Sequence, residues 1–343
     1  MDPVELEILR NQLESVAEEM GQVLIRGAYS PNIKERRDCS TALFDAAGRL
    51  VAQAEHIPVH LGAMPAAVEA VLARDPAPGD VWLLNDPFAG GTHLPDLTMV
   101  SPVVVDGVLG YAVSRAHHAD VGGPTPGSMP AGAGSIHEEG LRLPPVRLQR
   151  EGEVVEDVEA LVLANVRNPE KRRADLRAQL AANARAATRL RGLVADRGRE
   201  TVERAFEAVR SYSRDRMAAE LAAIPDGEYA ARDALEGDGR TDEPIRIVAT
   251  VTVDGERATV DFAGTAEQVA GNVNAPRAVA DSAVYFALRC VTDPEIPPNA
   301  GCYEPVDVRV PEGSLLDPAP PAAVVRGRVL SRRRVSTSPT RPA

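Results

Sequence analysis

All six histidines of this chain lie between residues 56 and 137, with acids interleaved among them. The tightest group is GGTHLPDL at 90–97, which sets His93 and Asp96 three apart around Pro95. Further on, RAHHADVGG at 115–123 brings His117, His118 and Asp120 together. Glycines beside both groups let backbone and side chains crowd around a small object. Imidazoles and carboxylates converging from several loops are what a divalent ion needs. A His/Asp set without thiolate suits Zn, Mn or Fe(II). An ion with an open position would bring the pKa of a bound water down towards neutrality. The same residues have a plainer use, as polar loop side chains that satisfy buried backbone groups.

Other candidates are weighed the same way. Asp38, in KERRDC at 34–39, is a further ligand only if the fold brings it close; otherwise it is a surface acid balancing Arg36 and Arg37. His56 and His60 are four apart, but Pro58 between them argues against a helix presenting both, so packing or loop stabilisation is the expected role. His137, Glu138 and Glu139 follow a Gly/Pro-rich loop at 122–134 long enough to be a lid. Either Glu is a proton carrier or simply solvated. Asp175, Gln179 and Asn183 recur at intervals of four and share a helix face, lining a substrate cavity or facing solvent. Cys39 has no base near it in sequence. No GxSxG nucleophile motif or Walker A loop is present, and GAG at 132–134 lacks the strand–helix context of a dinucleotide fingerprint. The chain has no nucleotide site of its own by this reading.

The elements that must position these residues are mixed α and β. Val4, Ile8, Leu9, Leu13, Val16, Met20, Val23 and Leu24 trace a helical stripe behind Asp2 as N-cap and Pro3 at the first helical position. From 30 to about 145 the texture changes to short apolar runs with turns at 45–49 and 106–108, and a helix around 63–73. Residues 169–223 read as two consecutive helices, or one kinked helix, with a break at Gly192 or Gly198. Asp254-Gly255, between IRIVATVTV and ATVDF, is the cleanest hairpin signal, and a helix is expected over about 278–290. The fold class is therefore mixed α/β (α+β). Its expected divisions are an N-terminal sheet-and-loop region with the metal site (1–168), a helical segment (169–224), a β-rich region with one helix (225–325) and an atypical basic tail (326–343).

Composition narrows the function classes. A net charge of −12 and only twelve aromatic residues argue against a nucleic-acid partner. Three scattered cysteines form no disulfide scaffold or metal knuckle and fit a reducing, cytoplasmic setting. The start, MDPVELEILR, is acidic where a signal peptide is basic, and the apolar stretch 97–114 is broken by Asp106 and Gly107, so no membrane span is expected. The last stretch, 326–343, has six Arg and no acid, unlike the acidic remainder, and reads as a disordered tail or the product of a reading-frame change.

Several segments resemble the hydantoinase B family, the β subunits of ATP-dependent hydantoinases and 5-oxoprolinases, with acetone carboxylase relatives. They are SPNIKERRDCS (30–40), ALFDAAGRLVAQAEHIPVHLG (42–62), NDPFAGGTHLPD (85–96), RAHHADVGG (115–123), EEGLRLPP (138–145), PNAGC (298–302) and PEGSLL (311–316). The resemblance implies a hetero-oligomer in which a hydantoinase A-type ATPase subunit uses ATP to phosphorylate the amide oxygen of a small cyclic amide. Metal-activated water on the hydantoinase B-type chain then opens the ring. It implies one divalent metal (Zn, Mn or Fe) on residues matching Asp38, His93, Asp96 and His118. His117, Asp120 and Glu139 are left as candidates for catalytic or substrate-side roles. The runner-up chemistry is that of an acetone-carboxylase-like ketone carboxylase. Family members carry a Gly-Asn-x-Glu-Thr-Ser-Gln-type segment after PPAAVV (320–325), which this sequence lacks, so a truncated, inactive fragment is the third expectation.

Overall fold

In the computed structural model, which describes residues 1–55 and 57–327, the chain forms two sheets flanked by helices. His56 and most of the basic tail lie outside the described residues. The elements run α1 (Pro3–Gly27), α2 (Pro31–Lys34), β1 (Cys39–Asp45), β2 (Leu50–Glu55), α3 (Ala63–Leu72), β3 (Val81–Leu84), β4 (Asp96–Val104) and β5 (Val108–His117). They continue with β6 (Val146–Arg150), β7 (Glu153–Val154), α4 (Glu156–Ala164), α5 (Pro169–Arg197), α6 (Arg199–Ala222) and β8 (Gly227–Leu235). The last are β9 (Ile245–Asp254), β10 (Arg257–Asp261), α7 (Arg277–Val291), α8 (Ala300–Tyr303) and β11 (Val306–Arg309). The mixed α/β class expected from the sequence is the class observed.

The first sheet has the order β2-β1-β5-β4-β3-β6-β7, and all its pairings are antiparallel. Its central hairpin, β4–β5, turns at Asp106 and Gly107, both at positive φ, the geometry that suits the right-handed twist of paired strands. Strand alternation then sorts the side chains. Cys39, Leu43, Ala112 and Ala116 face α1, α5 and α6, joining Leu9, Leu13, Met20, Ala182 and Phe206 in one core. Ala42, Phe44, Val100, Tyr111 and Val113 face α3, against Met64, Ala67, Val68 and Val71. The helices of 169–222 thus have no core of their own; they share one with α1 and the sheet. The two are separated at Gly198, whose φ of 81° an L side chain rarely adopts.

The second sheet, β11-β10-β9-β8, pairs β10 with β11 in parallel and the rest antiparallel. It packs with α7, α8 and the end of α6. The two regions meet closely: the Gly62 N–H donates to Ser282 Oγ (2.9 Å), and Ser282 Oγ in turn donates to the Val59 carbonyl (2.7 Å). Among the described residues no helix is long and apolar enough to cross a membrane.

Candidate metal centre

On the α3 face, each central strand grades from apolar to polar towards the same end of the sheet. β1 runs Phe44, Ala42, Ser40; β4 runs Val100, Thr98, Asp96; β5 runs Val113, Arg115, His117. Asp96 and His117 are direct cross-strand partners, so their side chains share a face. Asp38 precedes β1 by one residue, and its carbonyl accepts from the His117 N–H (3.0 Å). His93 closes a turn with Asp96 (Asp96 N to His93 O, 3.1 Å), and His60 ends a 3₁₀ turn at 58–60 just before α3.

These five side chains converge. Asp96 Oδ1 lies 3.1 Å from His117 Nδ1; Asp96 Oδ2 lies 3.0 Å from His93 Nδ1 and 3.6 Å from His60 Nε2. Asp38 Oδ2 is 4.0 Å from His117 Nδ1. The ligand atoms of His93, Asp96 and His117 fall within 4.8 Å of one another, as do those of Asp38, His60 and Asp96. His60, His93 and Asp96 are fully buried. Burial by itself would raise the Asp96 carboxyl, but the charge of His93 and the imidazoles of His117 and His60 hold it well below the usual carboxylate range. Thr92 Oγ1 also donates to Asp96 Oδ2.

The donor set fits a divalent ion of the Zn, Mn or Fe(II) kind: imidazole nitrogens and carboxylate oxygens without thiolate. His60 supplies the sharpest test of fit. Its Nδ1 is tied to Ser40 Oγ (2.8 Å), while Nε2 is buried, faces Asp96 and has no hydrogen-bond partner among the described residues. An orphaned buried nitrogen aimed at two carboxylates is costly without something to bind. His60, expected from the sequence to be a packing residue, therefore stands inside the group. Pro58 does prevent a regular helix, and the 3₁₀ turn it starts is what points His60 inward.

The other expected site residues are placed elsewhere. His118, one step beyond His117, faces α5, where Nε2 meets Gln179 Oε1 (2.9 Å). Gln179 uses its amide protons on the carbonyls of Leu97 and Ser114, so its oxygen accepts and His118 carries its proton on Nε2. Burial pushes the His118 imidazole down to about 4, outweighing the opposing charge of Asp175. Asp120 folds its own loop: it accepts from the N–H groups of Gly122, Gly127 and Arg167 and from Arg167 Nη1. Burial would raise its carboxyl, yet those bonds hold it below its ordinary value. Glu139 is buried, and Oε1 accepts from the N–H groups of Val324 (2.8 Å) and Val325 (2.9 Å); burial pushes it up to about 7. His137 and Glu138 are exposed. Cys39 is a buried apolar side chain whose thiol is pushed up to about 12 by burial and by Asp38.

The stripe on α5 lines no cavity and faces no solvent. Asp175 accepts from the N–H groups of Tyr29 and Ser30, and Asn183 donates to Ser101 Oγ (2.9 Å). It pins the helix to the sheet and to the loop ahead of Asp38.

Residues 2–338 match the model of a protein family described as Hydantoinase B/oxoprolinase. The chain is 38% identical to 5-oxoprolinase 1 of Arabidopsis thaliana, covering 98% of itself and 28% of that protein. It is 36% identical to the 5-oxoprolinase of Saccharomyces cerevisiae, covering 98% of itself and 27% of that protein. A D-/L-hydantoinase component of the B type, from a Pseudomonas species, is 33% identical over 95% of this chain and 58% of the relative. The crystal structure of ATP-dependent caprolactamase from Pseudomonas jessenii superimposes with a TM-score of 0.88 at 31% identity, over 98% of this chain and 61% of that one. The chain thus spans between about a quarter and three fifths of the length of these relatives.

Proposed function

This chain belongs to the Hydantoinase B/oxoprolinase family, and on that premise we propose that it is the metal-bearing subunit of an ATP-dependent cyclic-amide hydrolase. Its substrate would be a hydantoin or 5-oxoproline-type lactam, phosphorylated on the ring amide oxygen by a hydantoinase A-type partner. The observation that carries this reading is the meeting of Asp38, His60, His93, Asp96 and His117 at one end of the first sheet. Two similarities support the division of labour: the Pseudomonas hydantoinase relative is one component of a multi-subunit enzyme, and the caprolactamase is described as ATP-dependent.

The division makes chemical sense. An unstrained amide is a poor electrophile, and O-phosphorylation turns its oxygen into a leaving group. A divalent ion, when bound, supplies a nucleophile drawn from water at neutral pH. The chain's own residues prepare for it. Asp96 spreads its two oxygens over three imidazoles. Ser40 accepts the Nδ1 proton of His60, leaving the Nε2 lone pair free to ligate. Asp38 and His117, slightly exposed where the other three are sealed, mark the side open to substrate.

The test is to purify the chain together with an A-type ATPase partner and measure bound metal and ATP-dependent opening of 5-oxoproline, hydantoin and caprolactam. About one ion per chain and ring opening are expected, with both lost in Asp96→Ala while far-UV circular dichroism is retained. Metal retention by Asp96→Ala, or ring opening that survives it, overturns the reading. Turnover of acetone with bicarbonate in place of the lactams would move the chemistry to ketone carboxylation.

A further inference from the structure

Arg115 is the largest side chain that is fully buried. A buried guanidinium is costly unless its donors are used. No carboxylate lies within ion-pair distance of Arg115 among the described residues; its donors go instead to three neutral acceptors. Nε donates to Thr98 Oγ1 (2.7 Å), and Nη2 donates to the carbonyls of Gly90 (2.8 Å) and Ala63 (3.2 Å).

The positions of those acceptors are what matter. Gly90 lies three residues before His93, and Ala63 three residues after His60. Thr98 lies two residues after Asp96 and directly opposite Arg115, which is itself two residues before His117 on the same face of β5. One planar fork therefore touches each segment that delivers His60, His93 and Asp96, from the strand that delivers His117. Arginine suits the task because its donors are fixed in a plane and it cannot lose its charge to become a competing ligand.

We infer that Arg115 is the positioning residue of the metal centre, clamping the two loops that carry His60 and His93 onto the strand pair that carries Asp96 and His117. The inference rests on the metal-centre reading above. It assigns no chemistry to Arg115 itself, which acts only through the residues it holds.

The experiment loads the purified chain with Co²⁺, reads the visible absorption bands for coordination geometry, and measures Kd by chelator competition. Arg115→Met is expected to weaken binding 10- to 100-fold, the range for removal of an outer hydrogen-bonding partner, and to alter the cobalt spectrum. Arg115→Lys, with the charge but not the fork, should fall between the two. Arg210→Met is the control, since Arg210 is a nearly buried arginine that pairs with Glu207 and Glu304, away from the first sheet's polar end. It should lower the melting temperature yet keep the wild-type Kd and spectrum. If Arg115→Met does not fold, Thr98→Val keeps the arginine and removes one acceptor, with a severalfold loss of affinity and a shifted spectrum expected. Wild-type Kd and spectrum in the Arg115 or Thr98 variant overturns the inference, as does equal weakening by Arg210→Met. Failure of the wild-type chain to bind Co²⁺ at all is a separate result, which removes the metal reading and this inference with it.

Discussion

Glu139 offers a stability test that needs neither metal nor substrate. Its Oε1 holds the N–H groups of Val324 and Val325, while Oε2 is buried without a hydrogen-bond partner among the described residues. The same stretch is tied down by Ile136 N to Pro321 O (2.9 Å) and Asn274 Nδ2 to Ala323 O (3.0 Å), so the carboxyl cannot escape to water without releasing a strap. Burial raises Glu139 from 4.5 to about 7. The raised value means the native chain holds this proton more tightly than the unfolded one. Its stabilising contribution is complete below pH 4.5 and is lost as pH rises through 7. At about 1.4 kcal/mol for each tenfold change in proton affinity, the loss is about 3 kcal/mol by pH 8. Glu139→Gln keeps an oxygen for the two N–H groups and has nothing to ionise. Urea unfolding of both proteins, followed through the single tryptophan, Trp82, should show the stability gap widening in the variant's favour by about 3 kcal/mol between pH 4.5 and 8. Every other titrating group cancels in that difference. A gap that stays flat over the range refutes the burial argument.

Two further outcomes check the site and its frame. Ser40→Ala removes the group that fixes His60 Nδ1 at 2.8 Å, and metal affinity should fall about tenfold by chelator competition; an unchanged affinity would put His60 outside the coordination set. Gly301→Ala would drive a Cβ into the Arg210 carbonyl, where the backbones of α8 and α6 meet with no side chain between them. The helices must separate, with a loss of about 3 kcal/mol, and a wild-type melting temperature would contradict the packing described.

The parts of the fold that were legible in the sequence are those where a local rule and the tertiary structure agree. Asp2 and Pro3 start α1 as capping rules require, the Asp254-Gly255 turn joins β9 to β10, and α7 covers the expected helix. The short elements were not legible. β6, β7 and β11 have two to five residues and half-exposed patterns, too little for periodicity to register. Polar residues on α5 misled for a different reason. Asp175, Gln179 and Asn183 look like a solvent face or a cavity lining because a helix stripe reveals spacing and says nothing of what it faces. Here it faces backbone carbonyls and N–H groups that need partners, so polar side chains are buried by necessity.

The adjacent histidines show how close the sequence comes to the site. Chemistry alone makes His117 and His118 equivalent, and the family resemblance pointed to His118. Strand parity separates them: if His117 faces α3, its neighbour must face α5. The information needed to choose was present in the Asp106-Gly107 turn. Counting ten residues outward from that turn in each direction sets Asp96 opposite His117, the register observed. The same count pairs Thr98 with Arg115 and so aligns the buried guanidinium with the imidazoles and carboxylates above it. His60 lies beyond such arithmetic. It comes from outside the hairpin, and its place depends on α3 packing over the sheet and on Ser40 at the start of β1. A metal centre of this kind is thus half encoded in one hairpin's register, and half in how the rest of the chain closes over it.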